Sequence, residues 1–405
     1  MRISLVSEHA NPLATLGSAD AGGQNVHVAA LAEGLARRGH DVVVHTRRDS
    51  ISAPTTTIAP GGYTVHLVPA GPPSDVPKDD LLPHMPAFAA YLRRLWASTG
   101  APDLVHAHFW MSGLAATEAA RASGIPVVQT FHALGSVKRR QQGVRDTSPA
   151  DRPALEADLC AEVDHVIATC RDEVRELTAL GLHERRVSIV PCGVDLDLFR
   201  PRPGRPHVLH RLLVIGRLVM RKGVGNVLEA LADLPDTELT VAGGPERCAL
   251  RADPEASRLM ELAVELGVSE RVRFLGGVGR QEVPRLMAEA DVVVTVPWYE
   301  PFGIVPLEAM ACARPVVGSA VGGLLDTVVP GRTGELVPSR RPDLLASTLR
   351  ELLSDPVRRE RYGRAGRQRV ERHFSWDRVV ARHEQVYGDV VADRDSDVST
   401  LGGLR

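Results

Sequence analysis

The residues best placed to do chemistry lie in Trp298-Tyr299-Glu300-Pro301-Phe302-Gly303-Ile304-Val305-Pro306-Leu307-Glu308-Ala309-Met310-Ala311, which reads as a strand end, a loop bearing proline and glycine, and a helix start. Pro306 has no amide hydrogen and suits the first helical turn, so the neighbouring amides are left to face an anion. Glu300 sits in the loop and Glu308 in the helix, and both can reach one ligand lying across the helix start. A carboxylate accepts well from vicinal sugar hydroxyls, as the acidic residue of dinucleotide folds does from a ribose. Glu308 taken alone is also explained as an acid favoured by the helix dipole.

Two further segments could hold phosphate. Gly216-Arg217-Leu218-Val219-Met220-Arg221-Lys222-Gly223 follows a strand and puts Arg217 and Lys222 near its C-terminal edge, where a guanidinium fork and an ammonium point charge suit a diphosphate. Loop cations are more often simply solvated. Asp20-Ala21-Gly22-Gly23-Gln24 directly precedes a helix, so bare amides there could cradle a phosphate, although a turn also explains paired glycines. The Gly-x-Gly-x-x-Gly dinucleotide fingerprint is absent from this loop, which lowers a dehydrogenase reading. In Leu104-Val105-His106-Ala107-His108 the alternation puts His106 and His108 on one sheet face, as in a metal pair, but no further ligand cluster accompanies them. Asp195-Leu196-Asp197 looks like a metal-binding Asp-x-Asp and is read as structural, so no metal ligand is assigned.

These residues need strands and helices to hold them. Runs rich in β-branched residues recur at Asp41 to Thr46, Tyr63 to Val68, Asp103 to His108, Ile125 to Thr130 and Val163 to Thr169, with helical patterns between them. Such alternation implies parallel strands joined by crossover helices. The first helix, Gln24 to Arg38, puts Val28, Leu31 and Leu35 on one stripe and stops at Gly39. Three prolines and a glycine between Phe199 and Pro206 mark a linker, after which the pattern restarts at Leu212 to Gly216 and runs to Pro315 to Gly318. The expected division is therefore 1–202 and 207–375, with a last helix at 376–388 free to return to the first domain and a disordered tail at 389–405. Phe88, Leu92, Leu95 and Trp96 form a helical stripe that reads as a packed interior face in preference to a membrane contact.

Composition narrows the class further. At 405 residues, 44% apolar and 24% charged, the chain exceeds what one core supports. A net charge of -2 argues against a general nucleic-acid binder. Five cysteines without a Cys-x-x-Cys spacing suggest neither a disulfide framework nor a structural zinc, which fits a cytoplasmic protein. No apolar run approaches the ~18 residues of a membrane span.

The string around Glu300 and Glu308, together with Gly22-Gly23-Gln24, Gly216-Arg217-Leu218 with its Lys222-Gly223, and Val321-Gly322-Gly323, resembles the retaining family 4 glycosyltransferases of the GT-B fold. The likeness covers roughly Met1 to Tyr387 and is closest in pattern to the inositol-phosphate glycosyltransferases of mycothiol synthesis and to the enzymes making sucrose phosphate. It implies an α/β protein with two doubly wound Rossmann-like domains facing each other across a cleft, the first binding the acceptor and the second a nucleotide-sugar. By this resemblance Glu308 holds the ribose, Arg217 and Lys222 the diphosphate, and Glu300 the sugar hydroxyls. Gly303, Ile304 and Val305 offer backbone amides, Gly23 approaches the donor phosphates, and Val278 to Arg280 face the base. His132, weak evidence as a lone loop histidine, then matches the active-site histidine near the reacting carbon. Lys78 matches a phosphate-binding lysine, whereas Phe109 and Ala133 replace hydroxyl-bearing residues; Lys138, Arg139, Arg140 and Arg152 could supply a different anion pocket or a solvated face.

The implied activity is hexosyl transfer, with retention and without a metal or other cofactor, from a nucleotide-sugar, UDP-sugar by preference, to a hydroxyl of a small polar or sugar-like acceptor. A homodimer is left open. A sugar-nucleotide epimerase or hydrolase on the same fold, and a nucleotide-sugar-binding protein without turnover, remain the alternatives.

Overall fold

The structure is a computed structural model that describes residues 1–14, 22–204 and 207–402, with all their side chains except those of 145 and 395–402. Asp20 and Ala21 of the first glycine loop lie outside the described residues. The chain forms two compact units, unit 1 from Met1–Pro191 with Trp376–Arg405, and unit 2 from Cys192–Ser375.

Among the described residues, unit 1 builds an eight-stranded sheet from β1 (Arg2–Val6), β2 (Asp41–Arg47), β3 (Thr56–Ile58), β4 (Thr64–Val68), β5 (Leu104–His108), β6 (Val127–Thr130), β7 (His165–Ala168) and β8 (Val187–Ile189). Their order is β3-β4-β2-β1-β5-β6-β7-β8, and only β3 with β4 is antiparallel. The chain leaves β1 for β2 on one side and later places β5 on the other, so the order reverses between β1 and β5. In open α/β sheets ligands bind in the crevice beyond the strand C-termini at such a reversal. Ser7, Glu8, His9, Gly22, Gly23 and Phe109 all follow or adjoin those two strand ends.

Helix Gly23–Arg37 buries Val28, Leu31 and Leu35, each contributing about 1.5–3 kcal/mol on going from exposed to buried. Helix Trp376–Gly402 packs in the same cluster through Val379, Val380, Tyr387 and Val390. The two helices approach so closely that a Cβ at Gly34 would strike the Val380 side chain. Of the stripe Phe88, Leu92, Leu95 and Trp96, all but the half-buried Leu95 are buried in unit 1, as expected for an interior face.

Unit 2 repeats the plan with β9 (His210–Ile215), β10 (Thr237–Ala242), β11 (Val272–Gly276), β12 (Val292–Thr295), β13 (Val316–Ser319) and β14 (Gly334–Val337). Among the described residues the sheet order is β11-β10-β9-β12-β13-β14, parallel throughout. Here the reversal falls between β9 and β12, the two strands that lead into Arg217 and Glu300.

Two expectations need correction. The units divide between Pro191 and Cys192, upstream of the expected 202. The chain is already committed to unit 2 before its prolines, because the Val194 amide donates to the Phe374 carbonyl at 2.8 Å and Phe199 is fully buried in a unit 2 cluster. The tail from Asp389, expected to be disordered, continues the last helix to Gly402. Val390 and Val391 extend the buried stripe, and Arg394 pairs with Asp164 at 2.6 Å, so the acidic composition did not decide the conformation.

Candidate active site

In unit 2 the chain leaves β9 through a loop shaped by glycines. Gly223 holds φ +73°, and a Cβ there would collide with the Val296 carbonyl, so the loop can lie directly on the β12 end. Backbone bonding ties it there, with the Trp298 amide donating to the Arg221 carbonyl at 2.8 Å. The result sets Lys222 Nζ 2.5 Å from Glu300 Oε2, an ion pair spanning the reversal point. Arg217 lies exposed on the same loop, and Arg221 is near enough to act electrostatically on Glu300.

Burial works against ionising Glu300. The charge of Lys222 and its hydrogen bond, the Arg221 charge and the Gly303 amide outweigh that cost and hold the carboxyl below the usual carboxylate range. Glu300 is therefore an anion pinned between cations. A neighbouring backbone contact fixes its loop, since the Gly323 amide donates to the Glu300 carbonyl at 2.8 Å and Gly322 leaves no room for a Cβ against that same oxygen.

Gly303, at φ +74°, is the N-cap of helix Ile304–Ala311. Ile304 and Val305 are its first two residues, whose amides belong to the first turn, where a helix provides no carbonyl partner of its own. One turn on, Glu308 is 5% exposed and accepts from Arg280 Nη1 at 3.0 Å. Burial dominates here and raises the Glu308 carboxyl to about 7, with Arg280 acting in the opposite direction. Arg280 is thus engaged with the very carboxylate assigned to the ribose, and its guanidinium carbon also lies 5.1 Å from the Phe199 ring centre. Val278 is half-buried against the cluster that includes Leu307.

The crevice of unit 1 has its own polar constellation. Gly22 caps and Gly23 begins the first helix, and Gln24 Nε2 next to them donates to Ser7 Oγ at 3.3 Å and to the His108 carbonyl at 3.2 Å. Glu8 is buried, accepts from the Ser112 hydroxyl, and lies 2.7 Å from His9 Nδ1. His132 follows β6 with φ +62°, a strained left-handed conformation for a non-glycine residue. Its Nε2 is 2.9 Å from His108 Nδ1.

The acceptor-side candidates separate into two groups. Phe109, also at positive φ (+84°), carries Lys78 Nζ 5.4 Å and the Arg152 guanidinium carbon 5.0 Å from its ring centre, so these three residues do come together. Arg152 is in turn bonded to Glu156 at 2.8 Å. Lys138 is engaged elsewhere, with Ser148 Oγ at 2.7 Å, Asp146 at 3.1 Å and Asp79 at 3.6 Å. Arg139 donates to the Pro149 and Ala150 carbonyls, and Arg140 pairs with Glu176. The basic run therefore does not converge on a common anion pocket. Asp195 caps a turn by accepting from the Asp197 and Leu198 amides. Among the described residues no group of three or more His, Cys, Asp or Glu side chains is arranged to hold a metal.

Sequence reasoning did not single out Glu8, His9, Ser112, His27, His383 or Tyr387. The signal available for Glu8 and His9 was their place directly after the first strand; nothing local in Tyr387 or His383 announces which strand their helix will cover.

Two parallel Rossmann-like units, one with cations and carboxylates spanning its strand reversal, define an α/β protein of the GT-B glycosyltransferase class. Residues 21–198 match the model of Glycosyltransferase Family 4, and residues 197–369 that of Glycosyl transferases group 1. The chain belongs to this glycosyltransferase family, as two relatives and a solved structure also indicate. It is 36% identical over 413 residues to a D-inositol 3-phosphate glycosyltransferase of Xylanimonas cellulosilytica, covering 97% of this chain and 98% of that one. The protein of the same name from Mycolicibacterium smegmatis is 38% identical over 346 residues, covering 82% and 79%. The structure of sucrose-phosphate synthase from Thermosynechococcus elongatus superposes with a TM-score of 0.89 at 30% identity, covering 97% of this chain and 100% of that one. The protein is accordingly a glycosyltransferase using nucleotide-sugar donors. Among the described residues no helix is long and apolar enough to cross a membrane.

Proposed function

We propose that the protein transfers a hexose from a UDP-sugar to a hydroxyl of a small polyhydroxylated acceptor, with retention at the anomeric carbon and without a metal. The observation that carries this reading is the Lys222–Glu300 pair at the β9–β12 reversal, beside the first amides of helix Ile304–Ala311. A diphosphate leaving group needs fixed positive charge where its negative charge develops. Lys222, Arg217 and the amides of Gly303, Ile304 and Val305 supply it. Glu300, kept anionic by the same cations, accepts hydroxyls of the sugar, and Glu308 accepts those of the ribose once Arg280 yields to them. Gly23, the first residue of its helix in unit 1, is the small residue proposed to let the backbone approach the donor phosphates.

In the transfer the bond from the anomeric carbon to the phosphate oxygen breaks, and one from that carbon to the acceptor oxygen forms on the same face. The departing diphosphate takes the acceptor proton, so no separate base is required. His132 faces the donor sugar near the reacting carbon. The acceptor is held by unit 1, where Lys78 and Arg152 flank Phe109. The relatives named for inositol 3-phosphate and sucrose phosphate favour an acceptor of polyol or sugar type. Thermal unfolding with UDP, GDP, ADP and TDP separately, followed by an acceptor screen with the sugars of the nucleotide that binds, tests the proposal. A ligand at ~100 times its dissociation constant adds ~2.7 kcal/mol. Stabilisation by UDP and an α-linked product from an α-linked donor are expected; stabilisation by another nucleotide alone, or an inverted product, rejects the corresponding part.

A further inference from the structure

Five imidazoles lie buried together in unit 1, those of His27, His106, His108, His132 and His383. Ring centres are 4.1 Å apart for His106 and His108, 5.2 Å for His108 and His132, and 5.4 Å for His27 and His132. Burial, followed by the proximity of other imidazoles, lowers the pKa of His106, His108 and His132 well below 6.5, so these rings are neutral. A neutral imidazole has one N–H and one lone pair, and the partners of each ring decide where its proton sits.

The chain of assignments starts at Thr130. Its hydroxyl donates to the Ile167 carbonyl at 3.0 Å, so it accepts from His106 Nε2 at 2.9 Å and places the His106 proton on Nε2. His106 Nδ1 then accepts from the Tyr387 hydroxyl at 2.6 Å. His106 is thereby fixed in place, and the His108 ring lies tilted against it, with the His108 carbonyl accepting from Gln24 Nε2. His108 Nδ1 faces His132 Nε2 at 2.9 Å, and His108 Nε2 is buried without a hydrogen-bond partner. With both rings neutral, one of these two nitrogens carries the proton of the contact and the other accepts it, so each ring fixes the tautomer of the other.

We propose that His108 is a positioning residue for sugar transfer: its Nδ1 holds His132 Nε2, which fixes the orientation and the tautomer of the His132 ring where it faces the donor sugar. The proposal rests on the reading of His132 as the histidine that faces the donor. The left-handed backbone at His132, φ +62°, shows that the fold sustains local strain to keep this ring in place.

The test compares H108N, whose amide occupies the place of Nδ1 and can donate or accept there, with H108Q, which places its amide one bond further out, and with H132A. Steady-state kinetics with donor and acceptor, UDP affinity by calorimetry, and the ¹⁵N spectrum of the His132 ring are measured on the full chain. Loss of ring orientation at a reacting centre costs about a hundredfold in rate, so H108Q is expected to lose ~100-fold in kcat, with KM values within about twofold, while H108N retains kcat within about threefold. UDP affinity stays unchanged in both, because unit 2 binds the nucleotide. The single His132 tautomer of the wild type persists in H108N and gives way to mixed tautomers in H108Q. If H132A loses kcat while H108Q keeps it, the positioning role is overturned although His132 stands. If H132A itself keeps kcat, the reading of His132 fails and the role of His108 fails with it. Should H108Q not fold, H108F replaces it under the same expectations.

Discussion

Glu308→Gln should remove a pH dependence from nucleotide binding. In the ligand-free protein the Glu308 carboxyl has its pKa raised to about 7, first by burial and against the pull of Arg280. It is neutral below that value and ionised above it, and only the ionised form can accept from both ribose hydroxyls. At pH 6, one unit below the pKa, about one molecule in eleven has the ionised form; at pH 8, about ten in eleven do, a difference of roughly tenfold or ~1.4 kcal/mol. The substituted amide is neutral throughout and can still accept from Arg280, so the variant lacks this term while keeping the packing. UDP has a phosphate that titrates near pH 6. That titration is common to both proteins and cancels when the ratio of their affinities is taken. Isothermal calorimetry from pH 5.5 to 8.5 should therefore show the wild-type advantage over E308Q growing about tenfold between pH 6 and 8. A constant ratio across this range would refute the assignment of Glu308 to the ribose. The sign of the stability linkage is opposite: ionisation of a carboxyl whose folded pKa lies above its unfolded value destabilises the free protein as pH rises from 4.5 towards about 7.

Lys222→Ala leaves the largely buried Glu300 without its first partner, and kcat is expected to fall by ~10²-fold or more, as for loss of a group stabilising developing charge; kinetics with a circular-dichroism check of folding measure it, and wild-type kcat would dismiss Lys222 from the site. Gly223→Ala forces a Cβ into the Val296 carbonyl at a positive φ and should abolish the nucleotide-induced thermal shift while unit 1 retains its fold. Tyr387→Phe removes the donor to His106 Nδ1 and leaves a buried acceptor unpaired, costing about 1–3 kcal/mol in urea unfolding; an unchanged midpoint would show that the hydroxyl contributes nothing.

Much of the proposed donor site was legible because its residues are local in sequence. Glu300, Gly303, Ile304, Val305, Pro306 and Glu308 fall within nine consecutive residues, and a strand end followed by a helix start fixes their relative directions almost without tertiary information. Lys222 was legible as a cation near a strand end, but its pairing with Glu300 depends on β9 and β12 becoming neighbours, and that is a property of sheet order. The alternation of His106 and His108 was visible as well. Its meaning was not, since Tyr387 and His383 arrive from a helix nearly 300 residues later in the chain. Composition misled at the C-terminus, where acidic residues suggested disorder although Val390 and Val391 keep the helical stripe of Val379, Val380 and Tyr387.

The basic residues of unit 1 show why spacing alone fails. Lys138, Arg139 and Arg140 are adjacent in sequence, yet successive helical residues point about 100° apart, and their charges go to Asp146, to the Pro149 and Ala150 carbonyls, and to Glu176. Lys78 and Arg152 are far apart in sequence and meet over one Phe109 ring. A phenyl face attracts cations but accepts no hydrogen bond of the kind a hydroxyl offers. At this position the chain therefore offers two cations and an aromatic ring, with no side-chain hydroxyl at 109 or 133. If unit 1 holds the acceptor as proposed, Phe109 and Ala133 give it no hydroxyl to bond, and any anionic group it carries is left to Lys78 and Arg152.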